Sequence, residues 1–301
     1  MEAEEIREEL LRRGFARVCV LDGEEAGIGS RRLILCIMPY RACAGEGNGE
    51  AAGVIHPYYP ASQRAYRTAR EAAAEMAEKG IRVRLANDIR VKRILNRLPF
   101  LKRGRNTLSY LPETGSRFHV QILACDEEIP VTDRLETAEH EVMCLSCRRC
   151  AEACPGGAIR EDGFEKERCL RWWMLNGKCP PEAIMRKMGN RLIGCDACES
   201  CCPHNAPGAG EPPAAPLREL LAGGDREALA GMIGSNYARK NRILIQACAI
   251  AASRGRKELL PEIRALEAAE SPEVRAAARQ AVRILTEGTE KENETQGEKD
   301  R

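Results

Sequence analysis

The first 135 residues alternate short apolar runs with amphipathic stretches. Ile6, Leu10 and Leu11 share one face of a helix that ends at Gly14. Apolar runs of strand length follow at 16–21, 33–38, 81–85, 107–111 and 118–124, and helical patterns lie at 62–79 and 88–101. The Gly, Ala and Pro content of 41–61 indicates a loop. The pattern therefore predicts an α/β domain over residues 1–135.

The pattern becomes purely helical after residue 210. A Gly, Pro and Ala linker covers 207–216, and helical periodicity continues over 226–233, 237–253 and 256–268. A last helix begins at Ser271-Pro272-Glu273, because Ser caps free amides, Pro suits the first turn and Glu complements the helix dipole. Paired helices of this kind predict a short HEAT-like repeat domain over 211–286. The polar tail at 287–301 has almost nothing to bury, so we expect it to be disordered.

Length and charge narrow the class of protein without identifying it. A chain of 301 residues can form two or three small domains with a substantial core. No apolar run reaches the length that a membrane span needs, so we expect no membrane contact, and we expect a monomer. The 47 basic and 45 acidic residues balance, yet nine Lys or Arg with one acid lie in 82–105, and six with no acid lie in 237–257. Such stretches are usually solvated surface, but two of them flanking one candidate site suggest a polyanionic partner.

A run of cysteines between residues 144 and 202 carries the most chemical information. They fall in the order C-x2-C-x2-C-x3-C-P, then one cysteine alone, then C-x2-C-x3-C-P. In bacterial ferredoxins three closely spaced thiolates hold one iron–sulfur cubane, and the fourth, before proline, ligates the other. The spacing predicts two [4Fe-4S] clusters with crossed ligation, in a ferredoxin-like domain over 136–210. The ligands of cluster 1 are Cys144, Cys147, Cys150 and Cys202, and those of cluster 2 are Cys154, Cys169, Cys195 and Cys198.

Two zinc ions are the main alternative, because soft thiolates also select zinc. Zinc sites usually join two pairs of thiolates through a long loop and give no reason for a three-cysteine run closed by Cys-Pro. A disulfide framework fits less well, since the chain opens with a charged helix and not a signal peptide. Cys179 is a weaker alternative to Cys169 as the eighth ligand. Cys201 is not assigned as a ligand, because Cys202 holds the position before proline. Clusters require a reducing compartment, so we expect a cytoplasmic protein.

The order of these segments resembles the epoxyqueuosine reductase family. The similarity is densest in CLSCRRCAEACPGGAI at 144–159, in Arg168-Cys169 and in MGNRLIGCDACESCCPHN at 188–205. The string Gly-Asn-Arg-x-x-Gly-Cys-Asp-x-Cys is specific to the family, whereas ferredoxins share only the cysteine spacing. The resemblance covers most of residues 30–285. It agrees with an α+β fold class made of an α/β N-terminal domain, a ferredoxin-like double [4Fe-4S] domain and a short α-helical HEAT-like repeat.

The resemblance implies reduction of epoxyqueuosine to queuosine at the wobble position of tRNA. The family uses cobalamin beside its two clusters: electrons from a low-potential donor pass through the clusters to cobalt, and a carboxylic acid protonates the opening epoxide. That acid follows a strand and precedes a helix, a position held here by Asp88. A general acid needs a pKa raised toward the working pH, whereas neighbouring arginines would lower it. The alternative is that Asp88 only caps the helix predicted after it.

Part of the family's cofactor-facing sequence is altered in this chain. Where the family has Gly-x-Gly-Trp-x-Gly-Lys-Asn, this chain ends the corresponding segment with Gly104, Arg105 and Asn106, in which arginine replaces lysine. Gly115 and Ser116 keep part of the following turn. By resemblance these five residues are the predicted cobalamin-binding residues. The basic residues that precede them are an alternative for the carboxamide and phosphate edge of a corrinoid.

A basic stretch near the C-terminus, which resembles the family's basic helix, predicts where RNA binds. The predicted contacts with the tRNA anticodon stem-loop are Arg239, Lys240, Arg242, Arg254, Arg256 and Lys257. Two other functions stay open at this point. One is a corrinoid-dependent or corrinoid-activating reductase with another substrate, and the other is a ferredoxin-type electron-transfer protein without catalysis. Binding of base-off cobalamin separates either enzyme from the carrier, and turnover of epoxyqueuosine-tRNA separates the two enzymes.

Overall fold

The computed structural model describes residues 3–43, 52–86, 89–144, 146–224 and 226–299. The chain divides into two compact units. The first contains residues 1–42, 60–152 and 198–208, and the second contains residues 43–59, 153–197 and 209–301. The predicted cysteine-rich segment 136–210 thus contributes residues to both units. Within the described residues, no helix is long and apolar enough to cross a membrane.

The described residues form nine strands and twelve α-helices. The strands are β1 (Arg17–Asp22), β2 (Arg32–Pro39), β3 (Ala52–Ile55), β4 (Val83–Leu85), β5 (Lys102–Arg103), β6 (Ser109–Tyr110), β7 (Phe118–Cys125), β8 (Arg191–Ile193) and β9 (Ala214–Pro216). The helices are α1 (Ala3–Arg12), α2 (Tyr58–Glu78), α3 (Val91–Leu95), α4 (Arg149–Glu152), α5 (Leu170–Asn176), α6 (Glu182–Met185), α7 (Ala197–Ser200), α8 (Leu217–Leu221), α9 (Arg226–Ile233), α10 (Lys240–Ser253), α11 (Leu260–Ala265) and α12 (Pro272–Lys299). Single 3-10 turns lie at Lys166–Arg168, Lys257–Leu259 and Leu266–Ala268.

The first unit is built on a four-stranded sheet in the order β1-β2-β7-β4. Every neighbouring pair in this sheet is antiparallel. The predicted mixture of helices and strands is present, but the sheet is not the parallel one that the term α/β usually denotes. The connection between β1 and β2, residues 23–31, contains no helix and reverses the chain, which makes the two strands antiparallel neighbours.

Both faces of this sheet are buried, which explains why its strands read as continuous apolar runs. One face packs against α1 and α2, with Ile34 and Cys36 beside Leu10 and Met76. The opposite face packs against residues that follow β4, including Ile94, Leu95, Leu98 and Leu101. The helix predicted over 88–101 is regular only through α3, because Pro99 disfavours helical geometry in the residue before it. Its apolar residues nevertheless all face the sheet.

The second unit has its core around α10, whose residues 243–252 are all buried. A three-stranded sheet in this unit has the order β8-β3-β9, in which β3 is parallel to β8 and antiparallel to β9. The sequence predicts 41–61 as a loop, and the finding of β3 within it corrects that prediction. Both partners of β3 lie more than 130 residues away, so no local signal marks the strand. A Cβ atom at Gly53 would come within 3.0 Å of Leu192 and 3.2 Å of Ile250, so this strand packs closely on its neighbours.

The helices of the second unit agree with the periodicity of the sequence. α9 has the predicted bounds, and α12 begins at the predicted Pro272. α10 and α12 bury apolar residues in one core, but the HEAT-like repeat stays a prediction. The backbone of α12 is helical to Lys299, whereas the sequence predicts disorder over 287–301. Glu and Lys are good helix formers, which favours continuation of a helix whose buried residues extend to Leu285.

Candidate cluster-binding site

The four cysteines assigned to cluster 1 lie in the first unit and line one cavity of about 280 Å³. Cys144 and Cys147 precede the short helix α4, Cys150 lies within it, and Cys202 follows α7. The fold therefore brings a sulfur from the second cysteine run next to the first run. Arg105, Arg149 and His204 line the same cavity.

The chemistry of this donor set suits a [4Fe-4S] cluster, although within the described residues no group of three or more His, Cys, Asp or Glu side chains is arranged to hold a single metal ion. None of the fifteen cysteines, all of which lie in the described part of the chain, forms a disulfide, so four soft donors are available in one cavity. Burial, together with the thiols of Cys201, Cys144 and Cys147, raises the pKa of Cys150 to about 11. The raised pKa means that this thiol keeps its proton in the absence of iron, and binding of iron requires the ligand thiols to lose their protons. An Arg105 guanidinium nitrogen donates to the Cys144 carbonyl oxygen at 3.1 Å, which fixes a positive charge beside the thiols.

The segment that carries Cys198 and Cys202 is held by a buried ion pair. Arg117 Nε lies 3.1 Å from Glu199 Oε1, and the two side chains are only 6% and 8% exposed. The Tyr40 hydroxyl donates to the other Glu199 oxygen at 2.7 Å, and Arg117 also donates to the Ala206 carbonyl. Since both carboxylate oxygens and the guanidinium are engaged, the loop has little freedom to move away from the sheet.

A second set of polar contacts involves residues predicted to bind cobalamin. Ser116 donates its backbone N–H to Asn205 Oδ1 at 2.8 Å, and Asn205 Nδ2 donates to the Glu199 carbonyl at 2.8 Å. Gly115 has φ +64°, and a Cβ there would come within 2.1 Å of Asn205 Oδ1. Gly115 and Ser116 therefore support the segment that follows Cys202, and their cofactor role stays a prediction.

The other predicted cofactor residues lie in the hairpin of β5 and β6. Asn106 is buried, and its Nδ2 donates to the Cys198 carbonyl at 3.0 Å and to the Tyr110 hydroxyl at 2.9 Å. At Gly104 a Cβ would come within 2.6 Å of the Tyr110 ring. These residues, like Arg105, contact the cluster 1 segment, and their role toward cobalamin also stays a prediction.

Three of the four cysteines assigned to cluster 2 lie in the second unit, and Cys198 lies in the first. Cys154 Sγ accepts the Ala158 backbone N–H at 3.2 Å. Cys169 is the residue before α5, and Cys195 is half-buried; burial raises the pKa of Cys195, and the Cys169 thiol is among the groups that add to that shift. The grouping of these four cysteines around cluster 2 stays a prediction.

The remaining cysteines have other surroundings. Cys179 donates its backbone N–H to Glu273 at 2.7 Å, and burial raises its pKa to about 11. Cys201 does not line the cluster 1 cavity, although its thiol helps raise the pKa of Cys150. Four further cysteines are buried in the apolar cores: Cys19, Cys36, Cys125 and Cys248.

Asp88 lies outside the described residues, together with Asn87. The residues on either side, Ala86 and Ile89, line a second cavity of about 760 Å³ in the first unit. Four arginines line it: Arg84, Arg90, Arg93 and Arg97. Glu25 and Glu139 also reach this cavity, so it is polar and mixed in charge with an excess of basic groups.

The predicted RNA contacts separate into two groups in the second unit. Four are exposed: Arg239, Lys240, Arg254 and Lys257. Arg242 is half-buried, donates to the carbonyl oxygens of Asn236 and Leu175, and has its pKa lowered by burial and by Arg239. The Arg256 side chain is 17% exposed and lies 3.8 Å from Glu258. Arg242 therefore has a structural role that a count of basic residues does not reveal.

Sequence reasoning missed three residues that hold the cluster 1 segment. Arg117 and Glu199 are 82 positions apart, and nothing local marks them as partners. Tyr110 reads as one more apolar position in a short strand. The role of each of these residues can be recognised only in the folded structure, where the cysteine loops lie against the sheet.

Comparison with known proteins agrees with this site. A family described as a 4Fe-4S double cluster binding domain matches residues 143–205. The epoxyqueuosine reductase of Bacillus subtilis (strain 168) is 31% identical over 107 residues, which are 34% of this chain and 25% of that protein. The epoxyqueuosine reductase of Gloeobacter violaceus is 37% identical over 82 residues, 26% of each chain. The matched stretch thus spans about a quarter of the length of these curated relatives.

Similarity in structure extends much further than similarity in sequence. A crystal structure of epoxyqueuosine reductase with an epoxyqueuosine-modified tRNA-Tyr stem loop aligns with a TM-score of 0.71 at 19% identity, over 94% of this chain and 89% of that one. The Bacillus subtilis enzyme with its catalytic loop swung out of the active site aligns with a TM-score of 0.70 at 18% identity, over 94% and 90%. The resemblance seen in the sequence is confirmed: the chain has the fold of the epoxyqueuosine reductases, is similar in sequence to members of that family over about a third of its length, and contains a double [4Fe-4S] cluster-binding domain.

Proposed function

We propose that this protein is an oxidoreductase that reduces epoxyqueuosine to queuosine in tRNA. The observation that carries the proposal is the cavity lined by four cysteines from two separate runs, within a fold shared with epoxyqueuosine reductases. A low-potential donor supplies the electrons. Iron–sulfur clusters require a reducing compartment, and we propose the cytoplasm.

The clusters would be held by the eight cysteines and would supply single electrons at low potential. Conversion of an epoxide to an alkene consumes two electrons and two protons, and the oxygen leaves as water. The protein must therefore deliver protons to the oxygen and keep bulk water from the reduced centre. The buried ion pair of Arg117 with Glu199 holds the segment that carries Cys198 and Cys202 in place.

We propose Asp88 as the group that protonates the epoxide oxygen. The support is its place in the chain, since Ala86 and Ile89 on either side line the arginine-rich cavity. A carboxylic acid near several guanidinium groups tends toward the ionised form, so this role requires that burial or a bound anion offsets the arginines. Phosphate groups of a bound substrate or cofactor would provide such an anion.

Cobalamin is the proposed electron carrier between the clusters and the substrate. Of the two described cavities, the one of about 760 Å³ is the larger, and its arginines suit the phosphate and carboxamide edge of a corrinoid. The predicted residues Gly104, Asn106, Gly115 and Ser116 are instead engaged with the cluster 1 segment. We therefore propose Arg90 and Arg93, which are exposed and line the cavity, as corrinoid contacts.

The tRNA contact is proposed for four exposed residues: Arg239, Lys240, Arg254 and Lys257. Lys and Arg neutralise RNA phosphates, and the loss of each contact reduces the salt dependence of binding. Replacing these four with Ala is expected to weaken tRNA binding and to flatten that dependence. An unchanged slope would move the RNA contact to another surface.

The decisive experiment uses protein prepared without air and epoxyqueuosine-containing tRNA. Asp88→Asn is expected to keep about eight irons per chain and to abolish formation of queuosine. The control is Asp162→Asn, which removes an exposed aspartate of the second unit and is expected to keep activity. Retained turnover in Asp88→Asn would remove Asp88 from the mechanism.

Two further outcomes separate the alternatives. A protein that binds base-off cobalamin but leaves epoxyqueuosine unchanged would be a corrinoid reductase with another substrate. A protein that carries both clusters and shows no spectral change with cobalamin would be an electron-transfer protein.

A further inference from the structure

The tyrosine of β6 occupies a fixed position beside cluster 1. Tyr110 is only 4% exposed, and its ring packs edge-on against the His204 ring with centroids 5.9 Å apart. The ring also fills the space that a side chain at Gly104 would need. The ring therefore has little room to shift, and its hydroxyl reaches the cavity that Cys202 also lines.

The hydrogen bonds of this hydroxyl define which way its proton points. Asn106 Nδ2 donates to the Tyr110 oxygen at 2.9 Å, so the phenol acts as acceptor toward Asn106. The proton of the phenol remains for a different partner, and the ligand Cys202 lines the same cavity as Tyr110.

We propose that Tyr110 is a positioning residue for cluster 1, whose hydroxyl donates a hydrogen bond to the Cys202 thiolate and raises the reduction potential of that cluster. Hydrogen bonds to ligand sulfurs are among the factors that set cluster potentials, because they withdraw negative charge and favour the added electron. Asn106 holds the hydroxyl in place while its amide also binds the Cys198 carbonyl. The inference rests on the cluster-binding part of the proposed function only.

This assignment gives Gly104 and Asn106 a purpose different from the one predicted by resemblance. Gly104 lacks a side chain because the Tyr110 ring occupies its space, and Asn106 is turned toward the cysteine segment. A residue that contacted a corrinoid would change cofactor affinity when replaced. A residue that supports cluster 1 would change the cluster potential, so the two roles have different measurable effects.

The test is Tyr110→Phe, which removes the hydroxyl and keeps the ring that packs on Gly104 and His204. Both cluster potentials are measured in anaerobically reconstituted protein by redox titration followed with electron paramagnetic resonance. We expect the midpoint potential of cluster 1 to become more negative by about 59 mV. For a one-electron couple, this shift lowers the ratio of reduced to oxidised cluster roughly tenfold at the wild-type midpoint. The other midpoint stays in place. Tyr66→Phe, a half-buried tyrosine of α2 beside Arg70, is the matched control and should move neither midpoint.

Two measurements keep the inference testable if Tyr110→Phe loses iron. In wild-type protein, reduced cluster 1 should show magnetic coupling to an exchangeable proton, and the signal of that coupling should be lost in deuterated water. If wild-type protein shows no such coupling, the inference is overturned. Asn106→Leu should lower the same midpoint as Tyr110→Phe and leave corrinoid affinity unchanged. Unchanged potentials in both variants, or a loss of corrinoid affinity alone in Asn106→Leu, would equally overturn it. None of these readouts requires turnover of tRNA, so failure of the proposed substrate would not affect them.

Discussion

The buried ion pair between Arg117 and Glu199 leads to a quantitative prediction about stability. Glu199→Gln keeps the size of the side chain and removes its charge, so the Arg117 guanidinium is left buried without a counter-charge. Because the two side chains are only 6% and 8% exposed, solvent cannot screen that charge. Removing one partner of such a pair typically costs about 3–5 kcal/mol. The expected loss in the free energy of unfolding of the first unit is therefore of that order.

The assay is urea unfolding without air, followed separately by circular dichroism and by cluster absorbance. Two probes are needed because a two-unit protein with bound clusters need not unfold in one step. With a slope of about 3 kcal/mol per molar urea, the predicted loss lowers the midpoint by roughly 1–2 M. Cluster absorbance should be lost at the lower midpoint, since Glu199 lies between Cys198 and Cys202.

An exposed ion pair of the same unit provides the matched control. Arg31 and Glu128 are 3.2 Å apart with side chains 63% and 76% exposed, so Glu128→Gln should cost less than about 1 kcal/mol. Replacing both Arg117 and Glu199 with apolar residues should recover much of the loss, because no unpaired charge remains. A midpoint for Glu199→Gln no lower than that of the Glu128 control would refute the reasoning. So would a double variant as unstable as the sum of its single changes.

Three further predictions follow from the cysteine loops and the basic surface. Cys202→Ser is expected to reduce iron from about eight to about four atoms per chain, whereas Cys201→Ser should leave it unchanged; equal iron loss in both would assign the ligand differently. Arg242→Ala should lower the unfolding free energy by about 1–3 kcal/mol and leave the salt dependence of tRNA binding unchanged, because its guanidinium binds backbone carbonyls. Gly115→Ala should lower iron retention after brief exposure to chelator, since its φ of +64° and the contact with Asn205 leave no room for a methyl group; wild-type retention would contradict this.

Local chemistry in the sequence was enough to predict the clusters and most of the helices and strands. The Cys-Pro at 202–203 could be assigned to cluster 1 from spacing alone, and the structure brings Cys202 to Cys144 and Cys150 in one cavity. Helices and strands with a regular hydrophobic pattern were also predictable, because that pattern is set by residues only a few positions apart. Thus β7 and α9 appear where the pattern predicts them.

The rest required the tertiary structure, because it depends on residues far apart in the chain. β3 is a strand only because β8 and β9 provide hydrogen-bond partners, and Arg242 is structural only because Leu175 presents a carbonyl to it. Gly104 and Asn106 read as cofactor contacts in the sequence and lie against Tyr110 and the cysteine segment in the fold. The sequence by itself determined which atoms can bind iron, since ligand type and spacing are local properties. Only the fold decided which side chains surround those atoms, because burial and charge pairing are properties of the packed chain.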